Sequence, residues 1–206
     1  QRFTELGGTV VGEDTFQNSD QSVAAQVSRI AALPTQPDVV VVCSYPSGGV
    51  TAVVELRRKG MTAPILSGFG MDGAYWLDAA PGLSDMYVAT LASIYGDDPN
   101  GDVNALAKAY EQSQGTPPPT GAFVTGAGVL EIFKKAVEEA QTTAGAKVAA
   151  VMQTFEDVPT IAGPTSFNEE YHISIDRPMQ MIQITDGKPA FLTTITPDNV
   201  AGLDKK

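Results

Sequence analysis

The sequence predicts an α/β protein built on a parallel sheet, and three observations carry that expectation. Residues 39–42 are four consecutive valines, the composition of a strand with both faces covered. Two apolar patterns of helical period flank that run: Val23, Val27 and Ile30 before it, then Val50, Val53, Val54 and Leu56 after it. "PILSGFG" (64–70) then supplies another apolar strand. Strands that alternate with single helices require parallel crossovers.

Each element follows in order. "QRFTELGG" reads as the last turns of a helix stopped by Gly7 and Gly8, which makes a fragment the expectation. "GGTVVGEDTF" is expected to be a strand at about 9–12. Ser19 and Asp20 cap the helix through Val23, which ends before Pro34. The valine strand occupies 38–43 and gives way at 44–49 to Ser-Tyr-Pro-Ser-Gly-Gly. A second helix runs to Arg57, Arg58 and Lys59, cations suited to a helix carboxyl end, and stops at Gly60.

After "GFGMDG" (68–73) the rhythm changes. Residues 74–80 allow only a short helix before Pro81 and Gly82, and 85–93 read as a strand leading into the polar turn "IYGDDPNGD". A helix over 103–113 is expected to bury Val103, Leu106, Ala107 and Tyr110. Beyond the rigid connector "GTPPPTG", a long helix is expected to bury Phe123, Ala127, Leu130, Phe133 and Val137. Val148, Val151, Met152 and Phe155 mark another helix. Asp186-Gly187 between two alternating runs is a two-residue hairpin signal.

Composition narrows the function. The net charge of -11 argues against a nucleic-acid partner, because neutralising phosphates needs clustered Lys and Arg. No apolar run approaches the eighteen residues of a membrane span. Cys43 is the single cysteine, so no intrachain disulfide forms; beside the valines it is expected to be buried core.

Most motifs read as plain structure. "GFGMDG" matches the dinucleotide fingerprint, but that motif needs a long helix behind it to face the pyrophosphate. "DPNGD" starts like a calcium loop, yet Val103 and Ala109 stand where glycine and glutamate are required. His172 is the sole histidine and a surface or hinge residue by default; one His does not build a metal site. Asp97-Asp98 and Glu138-Glu139 read as solvated surface. No nucleophile has a base nearby in sequence, so no catalytic residue, no metal and no cofactor is expected, and the chain is not read as an enzyme. What remains is polar and aromatic: Tyr45 and Ser47 after one strand, Phe69, Gly70 and Asp72 after the next. Open parallel sheets bind ligands outside such carboxyl ends.

The order "GGTVVGEDTF … PDVVVVCSYPSGG … ELRRKG … APILSGFGMDG", continued by "MYVATLASIYGDDP", "GAFVTGAGVLEIFKKAVEEA" and "GPTSFNEEYHISIDRPMQMIQITDGK", resembles the periplasmic solute-binding proteins of branched-chain amino-acid ABC transporters. The resemblance implies a type I periplasmic-binding, or Venus-flytrap, fold of two Rossmann-like α/β lobes, with the N-terminal part of lobe one missing. It implies that 1–72 and 178–206 belong to lobe two and 85–177 to the C-terminal portion of lobe one, with hinge crossings near 85–91 and 173–178. It also implies a small-molecule ligand (an amino acid or related organic acid or amide), a membrane permease as partner, a periplasmic or extracellular location and a monomer when full length. Tyr45 resembles the aromatic that packs on the ligand, and Gly70 the glycine after the third strand. Where amino-acid binders carry a glutamate that pairs the ligand ammonium, this sequence has Phe69. Either Asp72 takes that role or the ligand has no ammonium. The alternatives are the effector domain of a transcription regulator and a nucleotide-binding enzyme resting on "GFGMDG".

Overall fold

The computed structural model describes residues 2–170, 174 and 177–196. The chain divides into two compact units: residues 1–89 with 181–190, and 90–180 with 191–206. The expectation placed on His172 lies outside the described residues, as do residues 173, 175 and 176 of the 173–178 crossing.

The first unit opens with the short helix α1 (Arg2–Glu5), followed by α2 (Ala24–Ala31), β1 (Val40–Val42), α3 (Gly48–Arg58) and β2 (Ile65–Ser67). β3 (Met86–Thr90) follows, and β1, β2 and β3 pair in parallel with Val42 opposite Ser67 and Ser67 opposite Val88. The sheet is completed by β4 (Met179–Thr185) and β5 (Lys188–Ile195) in the order β1-β2-β3-β4-β5. Asp186 and Gly187, both at positive φ, make the hairpin turn the sequence signalled. The turn is held to the residues leading into β3: Gly187 N–H donates to the Leu83 carbonyl and Asp186 N–H to Ser84 Oγ, each at 2.8 Å. The end of β4 therefore lies at the start of β3, so the two strands run in opposite directions.

Ile65, Met86, Val53, Ile182 and Ile184 are fully buried at the heart of this unit. The valine strand departs from expectation. β1 stands at the edge of the sheet, and Val41 is 60% exposed, so only one of its faces is covered. The stretch at 9–12 is not a strand, and Val10 and Val11 are exposed; without a paired neighbour, valine propensity alone does not make a ladder. Residues 74–80 hold only a 3₁₀ turn at Leu77–Ala79.

The second unit is helical: α4 (Gly101–Gln114), α5 (Val124–Ala140) and α6 (Gly145–Met152). Asn100 caps α4 by accepting from the Asp102 N–H at 3.0 Å, and Gly115 ends it in the left-handed region at φ 74°. On α5 the buried stripe is Val124, Gly128, Ile132 and Ala136. Of the face expected to be buried, Phe123 and Val137 pack half-buried against the core, whereas Leu130 and Phe133 are exposed. Gly128 decides this: its missing side chain lets Ala162 approach, so the helix turns that line inward. Asp98 is also not solvated. It is 6% exposed and accepts from the Ser93 and Asn100 N–H groups at 2.7 and 2.8 Å, while Asp97 accepts from the Phe191 N–H at 2.8 Å. Among the described residues no helix is long and apolar enough to cross a membrane.

Candidate functional site

The carboxyl ends of β1 and β2 bring the two loops expected to form a rim into contact. Ser67, the last residue of β2, donates from Oγ to the Val42 carbonyl at 2.7 Å, tying the strand ends together. Beyond them, a Cβ placed on Gly70 would lie 2.6 Å from the Ser44 carbonyl oxygen and 3.6 Å from Tyr45 Cβ. A Cβ on Gly49 would likewise overlap Met71 Sδ. Loops 44–49 and 68–73 therefore touch through backbone, and glycine at these positions allows the approach.

The first loop carries an aromatic and a hydroxyl. Tyr45 is 61% exposed. Ser47, also exposed, precedes α3 at φ 90° and ψ -86°, and its side chain does not cap the helix. A non-glycine residue held there costs on the order of 1–3 kcal/mol, so neighbouring contacts must fix it. They come from Asn18, a residue that sequence reasoning missed. Its Oδ1 accepts from the Gly48 N–H at 3.0 Å and from Ser44 Oγ at 3.3 Å. Its Cα also fills the space beside Gly48, where a Cβ would come within 2.8 Å. The polar run 17–20 signals a turn, but no local signal shows a side chain reaching across 26 to 30 residues.

The second loop is a 3₁₀ turn, Phe69–Met71, with Phe69 54% exposed. Trp76 folds back beneath it, its indole Nε1–H donating to the Met71 carbonyl at 3.1 Å. Tyr75, next to that buried indole, is 62% exposed. Asp72 differs from its rim neighbours. It is 2% exposed, and its Oδ1 accepts from the Gly73 N–H at 2.8 Å, so its carboxylate lies within the loop and not on its surface. No α-helix follows "GFGMDG" before α4, so the N-terminus that would face a pyrophosphate is absent among the described residues.

No Lys, Arg or His occurs between Arg29 and Arg57 or between Lys59 and Lys108, so neither loop carries a cation. Cys43, expected in the core, is exposed, one residue beyond the buried Val42 that ends β1. Two open cavities lie in this unit. One of about 660 Å³ is lined by Asn18, Ser19, Asp20, Ser47 and Thr51, behind the first loop. The other, about 540 Å³, lies at the opposite strand ends beside Arg57, Thr62 and Asp85. Tyr45, Phe69, Gly70 and Asp72 line neither of these two cavities.

A family model described as periplasmic binding protein matches residues 1–189. The sequence matches none of the curated proteins. Among solved structures, the leucine-binding protein LivK of Thermotoga maritima superimposes with a TM-score of 0.77 at 22% identity over 97% of this chain. The branched-chain amino acid transporter substrate-binding protein LivJ of Streptococcus pneumoniae, in complex with isoleucine, gives 0.75 at 20% over 92%. An ABC-transporter solute-binding protein of R. palustris in complex with benzoate gives 0.72 at 20% over 95%. The chain spans 55%, 53% and 52% of the lengths of these three proteins.

Proposed function

This chain belongs to the periplasmic binding protein family, and on that premise we propose that it is part of the extracytoplasmic solute-binding component of an ABC transporter. Its role is to bind a small organic ligand and deliver it to a membrane permease; it performs no chemistry on that ligand. Tyr45, Ser47, Phe69 and Gly70 form one wall of the site, and Asp72 holds the shape of the second loop. The observation that carries this reading is the contact between loops 44–49 and 68–73 at the carboxyl ends of adjacent parallel strands. Ligands of open parallel sheets sit there. The isoleucine and benzoate of two similar structures support a small organic acid as the kind of molecule concerned.

The mechanism is a population shift. A solute favours the receptor conformation in which it makes most contact, by the difference in contact free energy between the states, and the permease recognises that conformation. Thermal unfolding of the full-length protein across small acids, amides and amino acids tests the proposal. A true ligand at a hundredfold its Kd adds about 2.7 kcal/mol of stability, which reads as a rise of several degrees. Stabilisation by NAD and by no small organic solute would overturn it.

A further inference from the structure

We propose that β1 is an inner strand of the whole protein: a further parallel strand, from a segment outside these 206 residues, pairs with its free side and lies between β1 and residues 9–12. The proposal stands independently of the solute-receptor reading.

Three departures from what the sequence leads one to expect fall on the open side of β1. Residues 9–12 have strand composition but belong to no strand, and Val10 is 61% exposed. Val41, inside the valine run, is 60% exposed, and Cys43 is exposed as well. By the period of two, Val41 and Cys43 share one face of β1 while the buried Val42 takes the other. The edge is also undefended. Native edges carry lysine, proline, a bulge or a cover against stray pairing, whereas residues 39–43 hold no charge, proline or glycine. Val40 N–H donates to the Pro64 carbonyl at 2.9 Å, toward β2, so the backbone groups of Val39 and Val41 point the opposite way, off the sheet.

The neighbours fix where the added strand goes. Residues 12–18 run the way β1 runs: Gly12 lies against Leu33, ahead of β1, and Asn18 bonds to Ser44 and Gly48 beyond it. α2 leads from 9–12 to β1, and α3 leads from β1 to its parallel neighbour β2. α1 stands before 9–12 in the same relation, so the strand it crosses over from precedes Arg2 in sequence. Set between 9–12 and β1, about 4.8 Å from each, that strand gives both a partner. The order then reads 9–12, added strand, β1, β2, β3, one of the two common doubly wound orders. Right-handed crossovers running in opposite directions put their helices on opposite faces. The helix that ends in α1 thus falls on the face opposite α2 and α3, which pack together, and covers Val41 and Cys43. A protein as long as the similar solved structures has the chain for this, since these residues span little more than half of their lengths.

Residue-resolved hydrogen exchange on the full-length protein tests the proposal. The Val39 and Val41 amides should exchange at least about a hundredfold more slowly than unpaired surface amides, as slowly as those of β2. A fast Val41 amide in a protein whose β2 is protected overturns the added strand. Val41→Lys gives a second reading in the same protein. Lysine is welcome at a true edge. In a paired and covered strand it buries a charge, and melting should fall by about 10 °C or more, or the variant should fail to fold. A melting temperature within about 2 °C of the parent overturns the proposal as well. Protection of Val41 that fades on dilution, alongside a dimer in solution, overturns it in favour of a second copy pairing at the edge.

Discussion

Asn18 is where the candidate site depends most on one side chain. Replacing it with alanine removes the acceptor of both the Gly48 N–H and Ser44 Oγ, and loop 44–49 is left to hold Ser47 at φ 90° without that support. Asn18→Ala should cost about 1–2 kcal/mol, with faster hydrogen exchange at the Gly48 amide. Unchanged exchange at that amide would show that the loop is held by something else. Tyr45, Phe69 and Gly70 were legible in the sequence because a short polar turn directly after an apolar strand fixes where such residues go. Asn18 was not legible, since its partners lie far along the chain and come close only when β1 and α2 are in place. The burial of Asp72 escaped for a related reason: loop composition gives the residue type and not the direction of the side chain.

α3 shows two uses of arginine one position apart. Arg57 turns back over the helix end, where its guanidinium donates to the Met61 and Ala63 carbonyls at 2.8 Å and to those of Ser84 and Asp85 at 3.1 and 3.2 Å. It binds the lead-ins of β2 and β3 to the helix, and the cation sequence reasoning assigned to the helix dipole is in fact a clamp. Arg57→Ala should destabilise the unit by about 2–3 kcal/mol in denaturant unfolding; Lys, with a point charge and no planar fork, should recover only part. Arg58 instead pairs with Glu55, donating from Nε and Nη2 at 2.9 and 2.8 Å. Glu55 is 8% exposed while the Arg58 side chain remains 70% exposed, so the pair stays at the water interface. The Arg58 hydrogen bonds hold the Glu55 carboxyl below its ordinary value against the opposing effect of burial, with smaller help from the charges of Arg58 and Lys59. Because the folded value is depressed, the pair's contribution is complete above the ordinary glutamate range and is lost as pH falls through the lowered one. An NMR titration should find Glu55 titrating below an ordinary glutamate in the native protein and rising in Arg58→Ala; an unmoved midpoint would refute the pairing. Helix positions like these follow from periodicity, but their partners do not. On α5 the same limit appears in another form: large apolar residues pointed to Leu130 and Phe133 as core, and the small Gly128 turned its neighbours inward instead.

From α2 to β2 the order of strands and helices was readable, because alternating strand and helix signals leave few topologies, whereas the strand expected at 9–12 is absent. Coverage was less readable. An apolar strand reads as buried on both faces, yet β1 is an edge with Val41 at 60% exposure, since the sequence of a strand does not say what lies beside it. The reading of this chain as a solute receptor rests on loops 44–49 and 68–73 acting as one surface. Hydrogen–deuterium exchange of the full-length protein, with and without its best small organic ligand, examines that surface directly. Protection should appear together in 43–49 and 68–75 and be absent beside Arg57 and Asp85 at the other strand ends. Protection confined to those other ends, or in only one of the two loops, would contradict the account.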